Sequence, residues 1–417
     1  MKAAIVGAGA AGCFCAVNLK MARPDIDVHL YESGEHPLAK VAVTGGGRCN
    51  VTNSFRGIKH IADAYPRGEQ LMKKAFKTFD RVDTVKWFEE NGVKLTLQSD
   101  QCYFPVSQDA MEVVFMFRRL MRELGIHLHL KHKVERIEAL EDGGYSISFV
   151  QPASSNGLPQ KDYEPITADK VVVTAGGSQK KDFLSFLDGL DLEILPPLPS
   201  LFTFNLPGDP LNAMMGAVVE NTRTSLCGTS FKAEGPLLVT HWGISGPAVL
   251  KLSSYGARYL AEKGYEADCA INWLGSMNEQ QANEMITGMA AANPKKSVNS
   301  TRPEFLTARL WEYLTAKAGM RSDLRWAEAG AKGMRKLAGL LINDVHHIKG
   351  QSRFKEEFVT CGGVALSNVS TATLECRNHP GLYFAGEVLD IDAITGGFNL
   401  QAAWTTGYVV SKSISES

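Results

Sequence analysis

The sequence lacks any apolar run long enough to span a membrane. An apolar stretch at the N-terminus resembles part of a signal segment, but three glycines interrupt it, and a strand followed by a turn accounts for it. The chain also has no excess of one charge, because 44 basic and 45 acidic residues are interleaved and leave a net charge of −1. Such a balance provides no basic face for nucleic acid or anionic lipid. We therefore expect a cytoplasmic protein whose partners include neither nucleic acid nor a membrane.

Paired cysteines are missing as well. Eight cysteines are scattered over the 417 residues without a C-x-x-C pair or a metal-like cluster. This usage is typical of reduced thiols in the cytosol. We expect no metal site, and the length is sufficient for two or three domains with a large core.

A dinucleotide-binding pattern begins the chain. An apolar strand runs into residues 7–12, which read G-x-G-x-x-G and open a helix of small residues. In this pattern Gly7 permits a tight turn, Gly9 lets the backbone approach a pyrophosphate, and Gly12 lets the helix pack on the strand. The helix N-terminus adds N–H groups and a partial positive charge. Glu32 ends the second strand, where an acid accepts hydrogen bonds from ribose hydroxyls and disfavours a 2′-phosphate.

A second signature lies near the other end of the chain. A strand at residues 381–387 ends in a glycine and Glu387, and residues 395–401 carry Gly396 and Gly397 before a helix. An NAD dehydrogenase needs only the first βαβ unit, whereas FAD is extended enough to contact both chain ends. We interpret Glu387 as a ligand of the ribityl chain. The helix after Gly397 is then directed at the flavin pyrimidine.

A run of three glycines follows the first strand pair. Residues 44–53 continue from these glycines into Arg48 and Cys49. We predict a loop whose backbone presses against a flat or anionic ligand. Arg48 either binds phosphate or stabilises reduced flavin, and the alternative is a surface arginine or one that braces this loop. Cys49 has no partner cysteine nearby and is interpreted as a packing residue rather than a redox thiol.

No second G-x-G-x-x-G follows a strand in the middle of the chain. Residues 170–177 form a buried strand that runs into Gly176 and Gly177, but the third glycine and the helix are absent. A dedicated nicotinamide-binding Rossmann domain is therefore not expected. NAD(P)H stays a candidate electron donor, and the alternative is that the substrate itself is the reductant.

These motifs together resemble the BaiN-like, aminoacetone-oxidase-type family of FAD-binding flavoproteins, which are NAD(P)/FAD-dependent oxidoreductases. The resemblance spans almost the whole chain and is carried by residues 7–12, 44–53, 174–177, 240–247, 362–364 and 384–401. It implies an α/β fold with a discontinuous, glutathione-reductase-like FAD-binding Rossmann domain and a β-barrel insert that carries a helical subdomain. It leaves the substrate open, since members act in bile-acid reduction and in amine oxidation.

The motifs and the resemblance define a set of expected FAD-binding positions. These positions are Gly7, Ala8, Gly9, Ala10, Ala11, Gly12, Glu32, Ser33, Lys40, Thr44, Gly45, Gly46, Gly47, Arg48, Cys49, Asn50, Val134, Thr174, Ala175, Gly176, Gly386, Glu387, Gly396, Gly397, Phe398, Asn399 and Leu400.

Composition divides the chain. Residues 195–199 are proline-rich, the following segment alternates short β-like runs with glycine and proline, and residues from 278 to about 340 have helical periodicity. The predicted domains are an FAD-binding domain of residues 1–195 and 358–417, a β-barrel insert of residues 196–273 and 341–357, and a helical subdomain of residues 274–340. Within the first domain we predict helices at 68–79, 81–91 and 110–124, strands at 126–137 and 145–150, and a hairpin loop at 151–165.

His241 is the candidate general acid or base. It lies between a β-run and the turn at residues 243–247, and histidine exchanges a proton near neutral pH. The alternative is a hydrogen-bonded structural histidine. His346 and His347 precede a charged turn and are interpreted as solvent-exposed.

The sequence therefore predicts an FAD-dependent oxidoreductase that transfers a hydride through flavin N5 to or from a small organic substrate. One alternative is a flavin-dependent tRNA-modifying protein, against which the near-zero net charge and the lack of an appended basic domain argue. Another is a non-catalytic flavin redox sensor. The oligomeric state stays open.

Overall fold

The structure is a computed structural model that describes residues 1–151, 162–180, 182–350 and 359–417. Its contacts divide the chain into two units. Unit 1 comprises Met1–Pro199 and Val359–Ser417, and unit 2 comprises Ser200–Phe358. Most of the predicted loop at 151–165 and the end of the predicted barrel segment, 351–357, fall outside the described residues.

The strands are numbered in chain order. They are β1 (Lys2–Val6), β2 (Asp27–Tyr31), β3 (Thr52–Asn53), β4 (Leu95–Leu97), β5 (Cys102–Pro105), β6 (His127–His129), β7 (Val134–Ala139), β8 (Tyr145–Phe149), β9 (Ile166–Ala168), β10 (Lys170–Val173), β11 (Ile194–Pro199), β12 (Phe204–Asn205), β13 (Val218–Leu226), β14 (Lys232–Val239), β15 (Gly243–Ser245), β16 (Glu266–Asn272), β17 (Asp344–Lys349), β18 (Thr360–Val364) and β19 (Leu382–Phe384).

The α-helices follow the same convention. They are α1 (Ala10–Ala22), α2 (Ala39–Gly47), α3 (Ile61–Ala64), α4 (Glu69–Ala75), α5 (Arg81–Glu90), α6 (Ala110–Glu123), α7 (Pro247–Tyr255), α8 (Ala257–Glu262), α9 (Glu279–Ala292), α10 (Ala308–Lys317), α11 (Gly330–Ile342) and α12 (Phe398–Glu416). Within the described residues, no helix combines the length and the apolarity that crossing a membrane requires.

A parallel sheet in the order β19–β10–β1–β2–β6 forms the centre of unit 1. Residues 3–6 and 171–173 carry only alanine, isoleucine and valine and are buried, as expected for strands covered on both faces. Helix α1 packs against α12 at Gly407, where a Cβ would lie 2.7 Å from the Ala11 carbonyl oxygen. The predicted Rossmann-type α/β fold is confirmed.

The predicted strand at 126–137 is two strands in different sheets. β6 extends the parallel sheet, whereas β7 begins the antiparallel sheet β7–β8–β9. Between them Lys131 adopts a φ of 60°, and its N–H donates to the Gly34 carbonyl at 3.0 Å. The alternation of apolar and polar residues continues across this turn, which is why the pattern merges the two strands.

The proline-rich residues 195–199 form a strand rather than a linker. β11 pairs antiparallel with β18, and its register shifts between Leu195 and Leu198, where the intervening prolines have no N–H to donate. Pro199 pairs with Thr360. The two ends of β11 and β18 at which the chain enters and leaves unit 2 therefore lie side by side.

Unit 2 is built on a six-stranded antiparallel sheet in the order β12–β15–β14–β13–β16–β17. Its outer strands β12 and β17 contact each other, so the sheet is a nearly closed barrel. One hydrophobic core joins barrel residues such as Phe204 and Ile271 to helical residues such as Trp311 and Leu337. The division of this segment into a barrel and a separate helical subdomain stays a prediction.

The interpretation of His346 as solvent-exposed is wrong. Along β17 the residues Asp344, His346 and Ile348 are buried and alternate with exposed ones. His346 contacts Asp209 at 2.7 Å and Asp344 at 2.9 Å. A histidine on the inner face of the barrel is tolerated because its Nδ1 hydrogen-bonds the Asp209 carboxylate and the Asp344 carboxylate lies beside its Nε2.

Candidate cofactor-binding site

Three glycines shape the turn between β1 and α1. Gly7 adopts a φ of 105°, and a Cβ there would lie 2.5 Å from the Thr174 carbonyl oxygen. At Gly12 a Cβ would lie 2.0 Å from the Gly7 carbonyl oxygen. Gly9 differs, because its Cβ position has no atom within 4 Å. Packing therefore requires glycine at positions 7 and 12, whereas Gly9 borders open space.

The N-terminus of α1 presents unpaired donors to this space. The first intrahelical bond runs from the Cys13 N–H to the Gly9 carbonyl at 3.0 Å. The N–H groups of Ala10, Ala11 and Gly12 therefore have no acceptor within the helix. Together with the helix dipole they favour an anionic group at this end.

Glu32 lies beside the same turn. Its carboxylate accepts the Ala8 N–H at 2.9 Å and the Gly34 N–H at 2.7 Å. The Ser33 hydroxyl donates to it at 3.2 Å. Two backbone donors and one hydroxyl thus hold the carboxylate next to the start of α1.

Thr174, directly after β10, fixes the Gly7 turn from the other side. Its hydroxyl contacts the carbonyls of Val6 and Gly7 at 3.0 and 2.8 Å. The chain then exposes Ala175 and turns at Gly176, whose φ is 72°. Residues that follow two neighbouring parallel strands are thus placed at the same sheet edge.

Glu387 follows the next strand of that sheet, β19. Its carboxylate accepts the N–H groups of Thr360 at 3.0 Å and Gly177 at 3.1 Å. Lys40 contacts it at 3.4 Å and donates to the Gly177 carbonyl at 3.1 Å. A Cβ at Gly177 would lie 2.6 Å from the Glu387 carboxyl carbon. The close approach of backbone and carboxylate therefore depends on glycine at 177.

Helix α2 ends in a run of left-handed glycines after Thr44, which leaves helical geometry. Gly45, Gly46 and Gly47 have φ values of 59°, 68° and 81°. The Cβ positions of Gly46 and Gly47 have no atom within 4 Å, so this backbone borders open space.

Arg48 braces this glycine run. Its Nε donates to the Gly45 carbonyl at 3.0 Å, and its guanidinium carbon lies 4.3 Å from the centre of the Phe104 ring. Both contacts hold the loop from within unit 1, and a role of Arg48 toward phosphate or flavin stays a prediction.

The turn before α12 is held by two asparagines. The Asn50 amide, oriented by its hydrogen-bonding partners, donates to the Thr52 carbonyl at 3.1 Å and accepts the Gly397 N–H at 3.2 Å. Asn53 donates to the Gly396 carbonyl at 2.9 Å. The loop of residues 50–53 thus determines where α12 begins.

The N-terminus of α12 is the second donor group of the site. The first intrahelical bond runs from the Gln401 N–H to the Gly397 carbonyl at 3.0 Å, so the N–H groups of Phe398, Asn399 and Leu400 have no acceptor within the helix. The Asn399 side chain instead closes the preceding loop through the N–H and carbonyl of Ala393, at 2.9 and 3.0 Å. Asn399 therefore offers its backbone rather than its amide.

Three supporting residues were not found from the sequence. Arg67 and Asp392 form a buried ion pair that ties the start of α4 to the loop before α12. Tyr65 donates its hydroxyl to the Phe398 carbonyl at 2.8 Å. Arg67 and Asp392 are 325 positions apart, so no local pattern marks them as partners.

Two predicted residues of unit 1 stand apart from these donor groups, and a third predicted residue belongs to unit 2. Val134 begins β7, is buried and pairs with Phe149. Cys49 is fully buried, and burial raises its pKa to about 12, so it is a neutral thiol. His241 belongs to unit 2, where it is exposed at the β14–β15 turn and stacks edge-on with Trp242. Its catalytic role stays a prediction.

The site fits an extended dinucleotide. Gly407 of α12 packs against Ala11, at the start of α1. Gly407 is nine positions after the start of α12, so at a rise of 1.5 Å per residue the N-termini of the two helices are about 14 Å apart along α12. Glu32, which lies beside the start of α1, adds the ribose acceptor that an adenosine dinucleotide uses and FMN alone does not. Open backbone at Gly9, Gly46 and Gly47 leaves room between the two donor groups.

Comparison with known proteins gives full-length matches. The HI0933-like protein Rossmann domain matches residues 1–413. The ribosomal RNA dihydrouridine synthase of Haemophilus influenzae is 28% identical over 99% of this chain and 98% of its own length. The 3-dehydro-bile acid delta(4,6)-reductase of Clostridium scindens is 27% identical, again over 99% of this chain and 98% of its own length.

Two solved structures share the fold. The 3-ketosteroid-delta4-(5alpha)-dehydrogenase of Rhodococcus jostii RHA1 has a TM-score of 0.51 at 13% identity. The match covers 100% of this chain and 96% of the dehydrogenase chain. The 3-ketosteroid delta1-dehydrogenase of Sterolibacterium denitrificans has a TM-score of 0.50 at 11% identity, with 99% of each chain covered. At these identities the likeness concerns the fold alone.

Proposed function

Because the chain belongs to the HI0933-like Rossmann family, we propose that it is an FAD-dependent oxidoreductase acting on a small organic substrate. The observation that carries this proposal is the pair of donor groups at the N-termini of α1 and α12, built around one parallel sheet. Glu32, held beside the start of α1 by the Ala8 N–H, supports the adenosine half of FAD, which FMN lacks.

Each part of the site has a role toward FAD. The N–H groups of α1 bind the pyrophosphate, and Glu32 accepts hydrogen bonds from the adenosine ribose. Glu387 would hydrogen-bond the ribityl chain. The positive end of α12 favours negative charge on the pyrimidine edge of the ring. Bound FAD would supply the two-electron redox chemistry of the reaction.

The names of the two full-length relatives point to one reaction class. A dihydrouridine synthase reduces the C5=C6 bond of uridine, which is conjugated to the C4 carbonyl. A delta(4,6)-reductase acting on a 3-dehydro bile acid reduces double bonds conjugated to the 3-oxo group. We extend this class to the present chain and propose that it reduces a carbon–carbon double bond conjugated to a carbonyl. The net change adds a hydride to the β-carbon and a proton to the α-carbon, with NAD(P)H as the proposed electron donor.

Uridine in ribosomal RNA is the second candidate substrate. It is favoured by full-length relatives at 28% identity, including the ribosomal RNA dihydrouridine synthase of Escherichia coli. The net charge of −1 weighs against it, because RNA binding relies on neutralising phosphates with basic side chains. The small-molecule substrate is therefore the primary proposal.

The experiment uses the purified full-length protein under anaerobic conditions. NADH and NADPH are added first, and the bleaching of the flavin spectrum is followed. The reduced protein is then mixed with a 3-oxo-4,6-diene steroid or with protein-free ribosomal RNA. We expect rapid recovery of the oxidised spectrum with the steroid and a product two hydrogens heavier. Recovery with RNA alone, with dihydrouridine in the digest, would transfer the proposal to the second candidate, and a protein that binds no FAD would overturn both.

A further inference from the structure

Two neighbouring parallel strands bring one carboxylate and two imidazoles together on the edge of the unit 1 sheet. His29 of β2 and His127 of β6 are directly paired across the strands. Asp27 precedes His29 by two positions, so both side chains leave β2 on the same face. Partners that lie 98 positions apart in the sequence thus share one surface.

The donor atoms are close enough to share an ion. His29 Nε2 lies 3.0 Å from Asp27 Oδ2, and His127 Nε2 lies 3.4 Å from Asp27 Oδ1. One ligand atom from each residue lies within 4.8 Å of the other two. In a tetrahedral site with bonds of about 2.0–2.2 Å, ligand atoms are separated by roughly 3.3–3.6 Å. Small side-chain rotations therefore suffice to surround an ion.

A fourth side chain orients one of the imidazoles. His29 Nδ1 lies 2.9 Å from His129 Nε2. When Nδ1 carries the proton and donates it to His129, the lone pair of His29 Nε2 faces the Asp27 carboxylate. The Nε2 lone pair and the Asp27 carboxylate oxygen, which are both acceptors, then face each other. A cation bound between them is coordinated by both atoms and removes their repulsion. Metal-binding histidines commonly have such a partner on the second nitrogen.

The cluster is separate from the cofactor site. Asp27 is at the amino end of β2, whereas Glu32 follows its carboxyl end, about 16 Å away at 3.3 Å per residue. The Asp27 and His127 side chains are 52% and 58% exposed and His29 is 17% exposed, so an ion can enter from solvent. Three protein ligands leave a position for water.

We infer that Asp27, His29 and His127 form a binding site for a divalent transition-metal ion of the zinc class. Two imidazoles and one carboxylate suit zinc and copper better than magnesium or calcium, which prefer oxygen ligands alone. An ion there cross-links β2 to β6, the outer strand of the parallel sheet. The expectation of no metal site rested on cysteine spacing, and this cluster contains no cysteine.

The test is isothermal titration of untagged, EDTA-treated holoprotein with Zn²⁺, in a Cys227→Ser background that removes the exposed thiol. We expect one site per chain, weakened at least tenfold by His29→Ala and by His127→Ala. His347→Ala is the matched control, because His347 is an exposed histidine 2.9 Å from a single carboxylate, Asp268. The His347→Ala variant should bind Zn²⁺ with the same affinity as the Cys227→Ser parent.

A second measurement identifies the ligands directly. One equivalent of Cu²⁺ should give an electron paramagnetic resonance spectrum with coupling to two imidazole nitrogens, and His127→Ala should reduce this to one. Flavin absorbance and circular dichroism of each variant establish that it is folded. The absence of a saturable site, or a site that survives both histidine substitutions, would overturn the inference.

Discussion

At the level of single residues, Gly9 and Gly12 have opposite surroundings although they belong to one motif. The Cβ position of Gly9 is open and its φ of −82° suits any residue, whereas a Cβ at Gly12 meets the Gly7 carbonyl at 2.0 Å. Gly9→Ala should therefore keep the stability of the apoprotein and weaken FAD at least tenfold, since its methyl group occupies the space for the pyrophosphate. Gly12→Ala should destabilise the apoprotein by about 1–3 kcal/mol through overpacking.

The two glycine variants are measured by thermal unfolding of the apoprotein and by quenching of FAD fluorescence on binding. Gly288→Ala in α9 is the control, because its Cβ position is also open but lies in unit 2. It should gain up to about 1 kcal/mol of stability and keep its FAD affinity. Unchanged affinity in Gly9→Ala would argue against a pyrophosphate at the start of α1.

Glu32 has a structural role beside the binding role proposed for it. Its carboxylate accepts the N–H groups of Ala8 and Gly34, so it also fixes the turn that it serves. Glu32→Gln should weaken FAD by about 1–3 kcal/mol, the scale of a charge-assisted hydrogen bond. The flavin spectrum should not change, because the ring lies at the other end of the site. Glu35→Gln, which removes an exposed pair with Lys131, is the matched control in the same binding titration.

At the level of elements, the sequence predicts what a short window contains. The β1–α1 turn is complete within residues 2–12, and helices α4, α5 and α6 lie within the predicted ranges. The Thr360 donor comes from β18 and the Gly177 donor from the loop after β10, so no short window contains both. The Arg67–Asp392 pair and the β2–β6 histidines were missed for the same reason.

The prediction for His346 in β17 failed for a different reason. The strict alternation of β17 places His346 inside the barrel, but the two adjacent histidines and the following lysine suggested a solvated turn. Burial alone would lower the pKa of His346, yet its hydrogen bonds to Asp209 and Asp344 outweigh burial and raise it. The pKa of Asp344 is lowered despite burial, because His346 and Lys317 favour the carboxylate. The sequence pattern of β17 alone does not reveal that carboxylate partners compensate for the burial of His346.

These shifts predict how the stability of β17 depends on pH. A raised pKa means that the folded state prefers the charged His346, so its contribution is fully present below the ordinary value of 6.5 and is lost as pH rises through the folded pKa. The Asp344 contribution is lost in the opposite direction, as pH falls through its lowered pKa. His346→Gln should therefore cost most stability near pH 6 and progressively less at higher pH.

Hydrogen exchange of the β16 and β17 amides, corrected for the intrinsic pH dependence, measures this effect locally. His347→Gln is the control, because its side chain is exposed on the other face of the same strand. It should shift protection little at any pH. A cost of His346→Gln that does not vary between about pH 6 and 9 would contradict a charged His346.

At the level of the whole molecule, both ends of the chain build unit 1, and the family predicted from the motifs is confirmed over residues 1–413. The predicted FAD-binding positions all belong to unit 1, whereas His241 belongs to unit 2. If FAD needs only unit 1 and substrate turnover needs both, the two functions separate when unit 2 is removed.

The pairing of β11 with β18 makes that removal possible. Pro199 pairs with Thr360, and antiparallel partners have Cα atoms about 4.5–5.5 Å apart. A two-residue Asn-Gly hairpin can therefore join Pro199 to Thr360 in place of residues 200–359. The shortened chain should fold and bind FAD with an affinity within about tenfold of that of the intact protein, which corresponds to at most about 1.4 kcal/mol. It should not reduce an enone.

Equilibrium dialysis measures the FAD affinity of the shortened chain, and the Gly9→Ala version of the same chain is the control. A folded shortened chain without FAD affinity would mean that unit 2 contributes to the cofactor site, because the hairpin itself leaves every donor of α1 and α12 in place.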